Sequence, residues 1–431
     1  MITRKPGRLT CTIKIVCVAA VALAFKQHLC AQVVEIPGPI LETRPENGTP
    51  IAATVLTNSI FSPPRGLTIS TGVVGGHDDN VNASSSGGSI SSTGGSTSST
   101  GGSGSSYTSG NVALSYTPAI SPRTQLSLTT GGGFTYYFNR TGYNPSGYLG
   151  LSLTHKPSRR MTLSLSVLVS YQSQPDVSTD LGSNQQLGSF IHSSDLISLA
   201  YSWTPRFSTV TSYTFGLLKY DGSAGALENR MEHTLGEQFQ YLLWPTTTVV
   251  AEYRYGIIDY ESAPLDSTTN FLLAGLNHTF TPRLNATFRG GVELRSSESN
   301  GFQPGPYFES LLTYVVRNGS VIWTNSYSIE ESSVPGGSGA AAFRTGLTLN
   351  YRFTRRLSAS LPLFYVHGGN QSGGSSSSSS SSSGDTIDIG PSLNYSINRH
   401  FSANVGYHYT EVSGSGSYSR NNYFAGLNFS F

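Results

Sequence analysis

Residues 423 to 431 read YFAGLNFSF. Tyr423, Ala425, Leu427, Phe429 and Phe431 occupy alternate positions, with Gly426, Asn428 and Ser430 between the last of them. Successive side chains of an extended strand point to opposite faces, so this segment is a strand with one greasy face and one wet face. Upstream, the same pattern recurs. Met161, Leu163, Leu165, Val167, Val169 and Tyr171 alternate with Thr162, Ser164, Ser166 and Ser170. Phe343, Leu347, Leu349, Tyr351 and Phe353 alternate with Arg344, Gly346, Thr348, Asn350 and Arg352. Phe401, Ala403, Val405, Tyr407 and Tyr409 alternate with Ser402, Asn404, Gly406, His408 and Thr410.

The segments between these strands are of two kinds. Short turns recur at 121–123, 156–159, 204–206, 244–246, 281–283, 317–319, 354–356 and 398–400, most of them carrying Pro or Arg. Longer Ser-, Gly- and Asn-rich connections, such as 77–106, 173–189, 296–304 and 369–384, separate them. Tight turns at one end and long loops at the other belong to a membrane barrel. In hydrocarbon every backbone N–H and C=O needs a partner, so a sheet can cross only if it closes on itself. A soluble sandwich would also alternate, but would not place Tyr116, Trp203, Trp244, Phe280, Tyr314, Phe353 and Tyr395 beside the short turns, where an interfacial aromatic girdle belongs. Tyr136, Tyr171, Tyr255, Tyr365 and Tyr409 lie toward the loops. The expected fold is all-β: a transmembrane antiparallel up-and-down barrel of 18 strands, or 16 if the weak first two fail, with strand 67–75 closing against 421–431.

The first 31 residues form a secretory signal, with Arg4, Lys5, Arg8 and Lys14 ahead of an apolar run from Ile15 to Phe25. That run is shorter than the about 20 residues a permanent helix needs to span a bilayer. Cleavage is expected after Ala31, with Ala22-Leu23-Ala24 as an alternative site. Cys11, Cys17 and Cys30 all fall in this segment, so the mature chain has no disulfide. Lipidation at Cys30 is disfavoured because Gln27-His28-Leu29 lacks the small residues expected before it. Loss of residues 1–31 removes five basic residues and no acidic ones, turning 26 against 24 into 21 against 24. The apparent basicity belongs to the signal, and nothing argues for nucleic acid. Residues 32–62, with Pro37, Pro39, Pro45 and Pro50, read as a periplasmic extension, with a plug inside the barrel as the lesser alternative. The barrel occupies 63–431.

Strand parity assigns the lumen face. Its charges are Glu252, Arg254, Arg289, Glu293, Arg295, Glu309, Arg344, Arg352 and Asp388, among mainly uncharged polar neighbours. Mixed signs imply weak ion selectivity and a lining suited to neutral hydrophilic solutes such as saccharides. Glu237 falls in the lipid-facing register of Leu235 and Phe239, so a bulge or a misread strand is expected there. No HExxH or other zinc spacing occurs, and neither a cofactor nor catalysis is expected. His77-Asp78-Asp79 could serve a hydrolase or, with Asn80, a calcium ion, but reads first as a solvated loop start. The serine runs 84–106 and 375–383 are low in complexity and offer no setting for a nucleophile.

The chain from Pro63 to Phe431 resembles the β-barrel porin family of outer-membrane proteins, which includes barrels associated with exopolysaccharide production. The similarity rests on strands that follow Thr-Pro-Arg or Thr-Arg-Arg turns, as in YSWTPRFSTVTSYTF (201–215), HTFTPRLNATFRGGVEL (278–294) and YRFTRRLSASLPLFY (351–365). The tail is similar to the signal read by the barrel-assembly machinery, carried here by Tyr423, Leu427, Phe429 and Phe431. The resemblance implies an integral outer-membrane protein surrounded by lipid. It would pass small polar solutes or serve polysaccharide export, with a structural or adhesive barrel as the alternative and an outer-membrane hydrolase as a distant one. Porins of this width often trimerise, so an oligomer stays open.

Overall fold

The computed structural model describes residues 66–83, 104–140, 142–173, 188–331, 339–370, 382–414 and 417–431. The signal, the 32–62 extension and most of the Ser/Gly loops lie outside the described residues. Strands β1 Leu67–Asp78, β2 Ser105–Tyr116, β3 Thr124–Tyr137, β4 Tyr143–Ser158, β5 Met161–Gln172 and β6 Phe190–Ser202 come first. They are followed by β7 Phe207–Tyr220, β8 Arg230–Trp244, β9 Thr247–Tyr260, β10 Ser267–Thr281, β11 Leu284–Ser297, β12 Gly301–Val316 and β13 Gly319–Glu330. The chain continues through β14 Ala340–Arg352, β15 Leu357–Asn370, β16 Ser382–Ile389, β17 Ser392–Ser396, β18 Phe401–Val412 and β19 Tyr418–Ser430. Among the described residues the sole helix is a six-residue 3-10 segment, Ser223–Glu228.

Neighbouring strands run antiparallel, and β1 pairs with both β2 and β19, so the sheet closes. β16 and β17 both lie between β15 and β18 as two halves of one stave, which makes eighteen staves from nineteen strands. The interruption falls at Gly390-Pro391. Proline has no N–H to give a ladder, and the gap is bridged by Gly390 N to Pro362 O at 3.1 Å and Tyr407 N to Pro391 O at 3.0 Å.

The expected seam is present: Thr71 faces Phe429 and Val73 faces Leu427. Phe431 and Ile69 exchange backbone hydrogen bonds of 2.9 and 2.8 Å at its short-turn end.

Several of the short turns share one local device. Thr204 Oγ1 accepts the N–H of Arg206 at 3.3 Å and of Phe207 at 3.0 Å; Thr354 does the same for Arg356 and Leu357 at 3.2 and 3.0 Å. Asn398 Oδ1 accepts from His400 and Phe401 at 2.8 and 2.9 Å. A short side-chain oxygen thus occupies two backbone donors that the reversing chain leaves without a ladder partner.

At the loop end, several strands run further than alternation indicates: β4 begins at Tyr143, β6 at Phe190 and β12 at Gly301. Beyond the hydrocarbon both faces are wet, so alternation fades while backbone pairing continues.

The outer face is apolar. Val73, Leu235, Leu272 and Leu427 project from it, and Trp203, Trp244, Phe280 and Phe353 ring its short-turn end. Glu237 departs from this. The β7–β8–β9 register runs without a shift from Arg230 to Leu242, so no bulge turns the side chain inward and the strand is correctly placed. The carboxylate stands on the outer face.

Candidate functional site

The register that points Val249, Ala251 and Tyr253 outward points Glu252 and Arg254 inward, and the same holds for Arg289, Glu293 and Arg295 on β11 and Glu309 on β12. These side chains meet. Arg254 lies 2.5 Å from Glu252 Oε1 and 2.7 Å from Glu309 Oε1, and Arg289 Nε lies 3.4 Å from Glu252 Oε2. Tyr307 donates its hydroxyl to Glu309 at 2.6 Å, and Arg289 donates to Asn277 Oδ1 at 2.9 Å. Nearer the loops, Glu331 accepts from Arg295 at 2.5 Å and from the Tyr260 hydroxyl at 2.6 Å, while Glu293 accepts the Ile329 N–H at 2.9 Å. Arg344 pairs with Glu330. On the far wall, Asp388 accepts from His408 at 2.8 Å and Thr410 at 2.9 Å. A buried charge is tolerated where opposite charge and hydrogen bonds replace water.

The nine charges assigned to the lumen by parity divide in use. Glu252, Arg289, Glu293, Arg295, Glu309 and Asp388 are almost wholly buried, whereas Arg352 is exposed at the short-turn mouth. Those on β9, β11 and β12 pack one side of the barrel instead of standing in its passage, and Asp388 is taken up by its own partners on β18.

The passage lies beside them. A cavity of about 1370 Å³ runs along β2–β8 and β14–β19, from Gln172 and Ser173 at the loop end to Arg317 and Asn318 at the short-turn end. Between the ends it is bounded largely by hydroxyl, amide and glycine groups, among them Asn111, Thr129, Ser152, Ser166 and Asn404. Width comes partly from Gly–aromatic pairs in direct register: Tyr148 opposite Gly131, Phe424 opposite Gly406 and Tyr107 opposite Gly76. Each ring lies over the glycine, where a Cβ would stand 2.6, 2.3 and 2.5 Å from it respectively, so the aromatics fold along the wall.

Sequence reading left out Arg230 and Glu232, which border this cavity and pair with each other at 2.7 Å. Their inward parity was readable; their position at the open side was not. The Asp78–Asp79–Asn80 segment has a structural use. Asp78 is fully buried and takes a two-pronged hydrogen bond from Arg420 at 2.9 and 2.5 Å, Asp79 takes the Asn421 N–H at 2.6 Å, and Asn80 donates to Ser419 O at 3.0 Å. The segment binds β1 to β19 at the loop end of the seam. Among the described residues no cluster of three His, Cys, Asp or Glu side chains is placed to hold a metal ion.

Residues 206–431, somewhat more than half of the chain, match the family model described as "Putative beta-barrel porin 2". The chain belongs to this porin family. The porin is accordingly an integral protein of the outer membrane, with its short turns toward the periplasm and its loops outside. Among solved structures it is similar to OccAB4 of Acinetobacter baumannii, at 11% identity over 85% of this chain and 98% of that one, with a TM-score of 0.41. It is also similar to OccK5 (OpdH) of Pseudomonas aeruginosa, at 12% identity over 85% and 99% with a TM-score of 0.42. A third, opdK of the same organism, gives 10% identity over 84% and 99% and a TM-score of 0.42. No curated protein matches the porin.

Proposed function

We propose that this porin is a passive channel for small neutral hydrophilic solutes, with saccharides as the fitting class. The observation that carries the reading is the cavity continuous from Gln172 to Asn318, whose mid-section offers hydroxyls and amides while the strong charges nearby are neutralised in pairs. Such a wall exchanges hydrogen bonds with a polyhydroxylated solute as it passes and favours ions of neither sign over the other. Family membership favours a channel over an enzyme. The same lining suits a polysaccharide strand, which makes a part in exopolysaccharide export the longer-chain form of this reading.

The refolded protein in planar bilayers is expected to give stable, ohmic, weakly ion-selective steps, and proteoliposomes are expected to swell in neutral mono- and disaccharides. Conductance without swelling would remove the saccharide assignment. Absence of conductance would leave a structural or adhesive barrel.

A further inference from the structure

Two lines of polar side chains cross the outer, lipid-side face of the barrel where hydrocarbon should lie. In the first, Thr211, Glu237 and Tyr253 are direct register neighbours on β7, β8 and β9. Thr211 donates to Glu237 Oε2 at 2.6 Å, and Tyr253 donates to Asn270 at 2.8 Å. Glu237 takes part in none of the ion pairs among the described residues. In the second line, Ser310, Asn325 and Thr345 are register neighbours on β12, β13 and β14. Asn325 Nδ2 donates to Ser310 Oγ at 3.1 Å, which leaves the Ser310 hydroxyl hydrogen and the second Asn325 amide hydrogen to be given outward.

A carboxylate facing lipid at mid-barrel is unfavourable, and so are hydroxyl and amide donors with no acceptor. The two lines are complementary: one presents an acceptor, the other donors. They also stand at one depth, Glu237 seven residues before Trp244 and Asn325 six residues after Gly319, both counted from the short-turn end. Their staves, β8 and β13, are five of eighteen apart, somewhat more than a quarter of the circumference. Contact between copies related by rotation about the membrane normal requires two patches at equal depth and different azimuth.

We propose that this porin assembles with further copies of itself through a head-to-tail contact in which Glu237 of one copy meets the Ser310–Asn325 line of the next.

Cysteine cross-linking in intact membranes tests it. The double variant Glu237→Cys, Asn325→Cys is expected to form covalent multimers on mild oxidation, and each single variant to form none. No multimer from the double variant, or a dimer from Glu237→Cys alone, would overturn the proposal, the latter because it reports a two-fold contact. A second measurement does not depend on oxidation. Glu237→Leu and Asn325→Leu, each confirmed as folded by heat-modifiable mobility, are expected to be monomers by light scattering in mild detergent, and their mixture to yield dimers through the one intact contact. Glu237→Leu that keeps the stoichiometry of the unaltered protein, or a mixture that stays monomeric, would equally overturn it.

Discussion

Asp78 is fully buried, and its partner Arg420 comes from the other end of the chain. Breaking a buried pair by removing one member leaves an uncompensated charge, a cost of about 3–5 kcal/mol. Arg420→Ala is expected to lower the unfolding free energy by that order in urea titrations in lipid vesicles. Adding Asp78→Ala should recover part of the loss, because the stranded carboxylate goes with it. At the exposed rim the balance differs. Lys219 and Glu261 pair at 3.1 Å, both half exposed. The Lys219 hydrogen bond, then its charge, then the Asn229 amide hold the Glu261 carboxyl below its ordinary range. With the folded value depressed, the contribution is present above the unfolded pKa and is lost as pH falls through the folded one. Lys219→Met should therefore melt slightly below the unaltered barrel at neutral pH and low salt, and the two curves should merge in acid. A gap that widens in acid would contradict the pairing.

At the scale of elements, the turn oxygen is the working part of the Thr-Pro-Arg motif. Thr204→Val keeps the shape and removes the acceptor for two N–H groups. Because water reaches this turn, the loss should be about 1 kcal/mol, read as a shift in the urea midpoint at constant slope. Strand positions were largely legible in the sequence. The strand that follows the Thr204-Pro205-Arg206 turn is β7, where alternation and the flanking turn agree. The stave between β15 and β18 instead forms two pieces, β16 and β17, because Pro391 withholds a ladder donor that a two-face pattern does not register. Lumen charges were half legible. Parity places Arg289 and Glu252 inside, but whether an inward side chain fills the barrel or borders its passage depends on partners several staves away, as Arg254 and Glu309 show. Asp78 and Arg420 carried a readable signal, opposite charges of equal parity on the two closing strands, though nothing local marked them as a pair.

For the whole molecule, the passage is set as much by what lies flat against the wall as by what lines it. Gly131→Ala would put a methyl group where the Tyr148 ring now rests and swing the ring into the cavity. The barrel should still fold, since a ring end can yield, but single-channel conductance should fall; unchanged conductance would place the narrowest section elsewhere. Deleting Phe431 removes both backbone bonds to Ile69 and the last outward aromatic. The expected result is a drop in the heat-modifiable folded fraction in cells, with the inner-membrane export step unaffected.

The clasp between Asp78 and Arg420 joins residues 342 positions apart. Its formation cannot begin until the last strand has been started, so closure waits for nearly the whole polypeptide to arrive. The entropy of so large a loop rises only with the logarithm of its length, as (3/2)RT ln n, which makes the delay a matter of timing more than of thermodynamics. Until then both sheet edges stand unpaired and able to recruit other chains. A product ended before Arg420 would stay in that condition permanently, so the contact that seals the wall is denied to any chain that lacks its last strand.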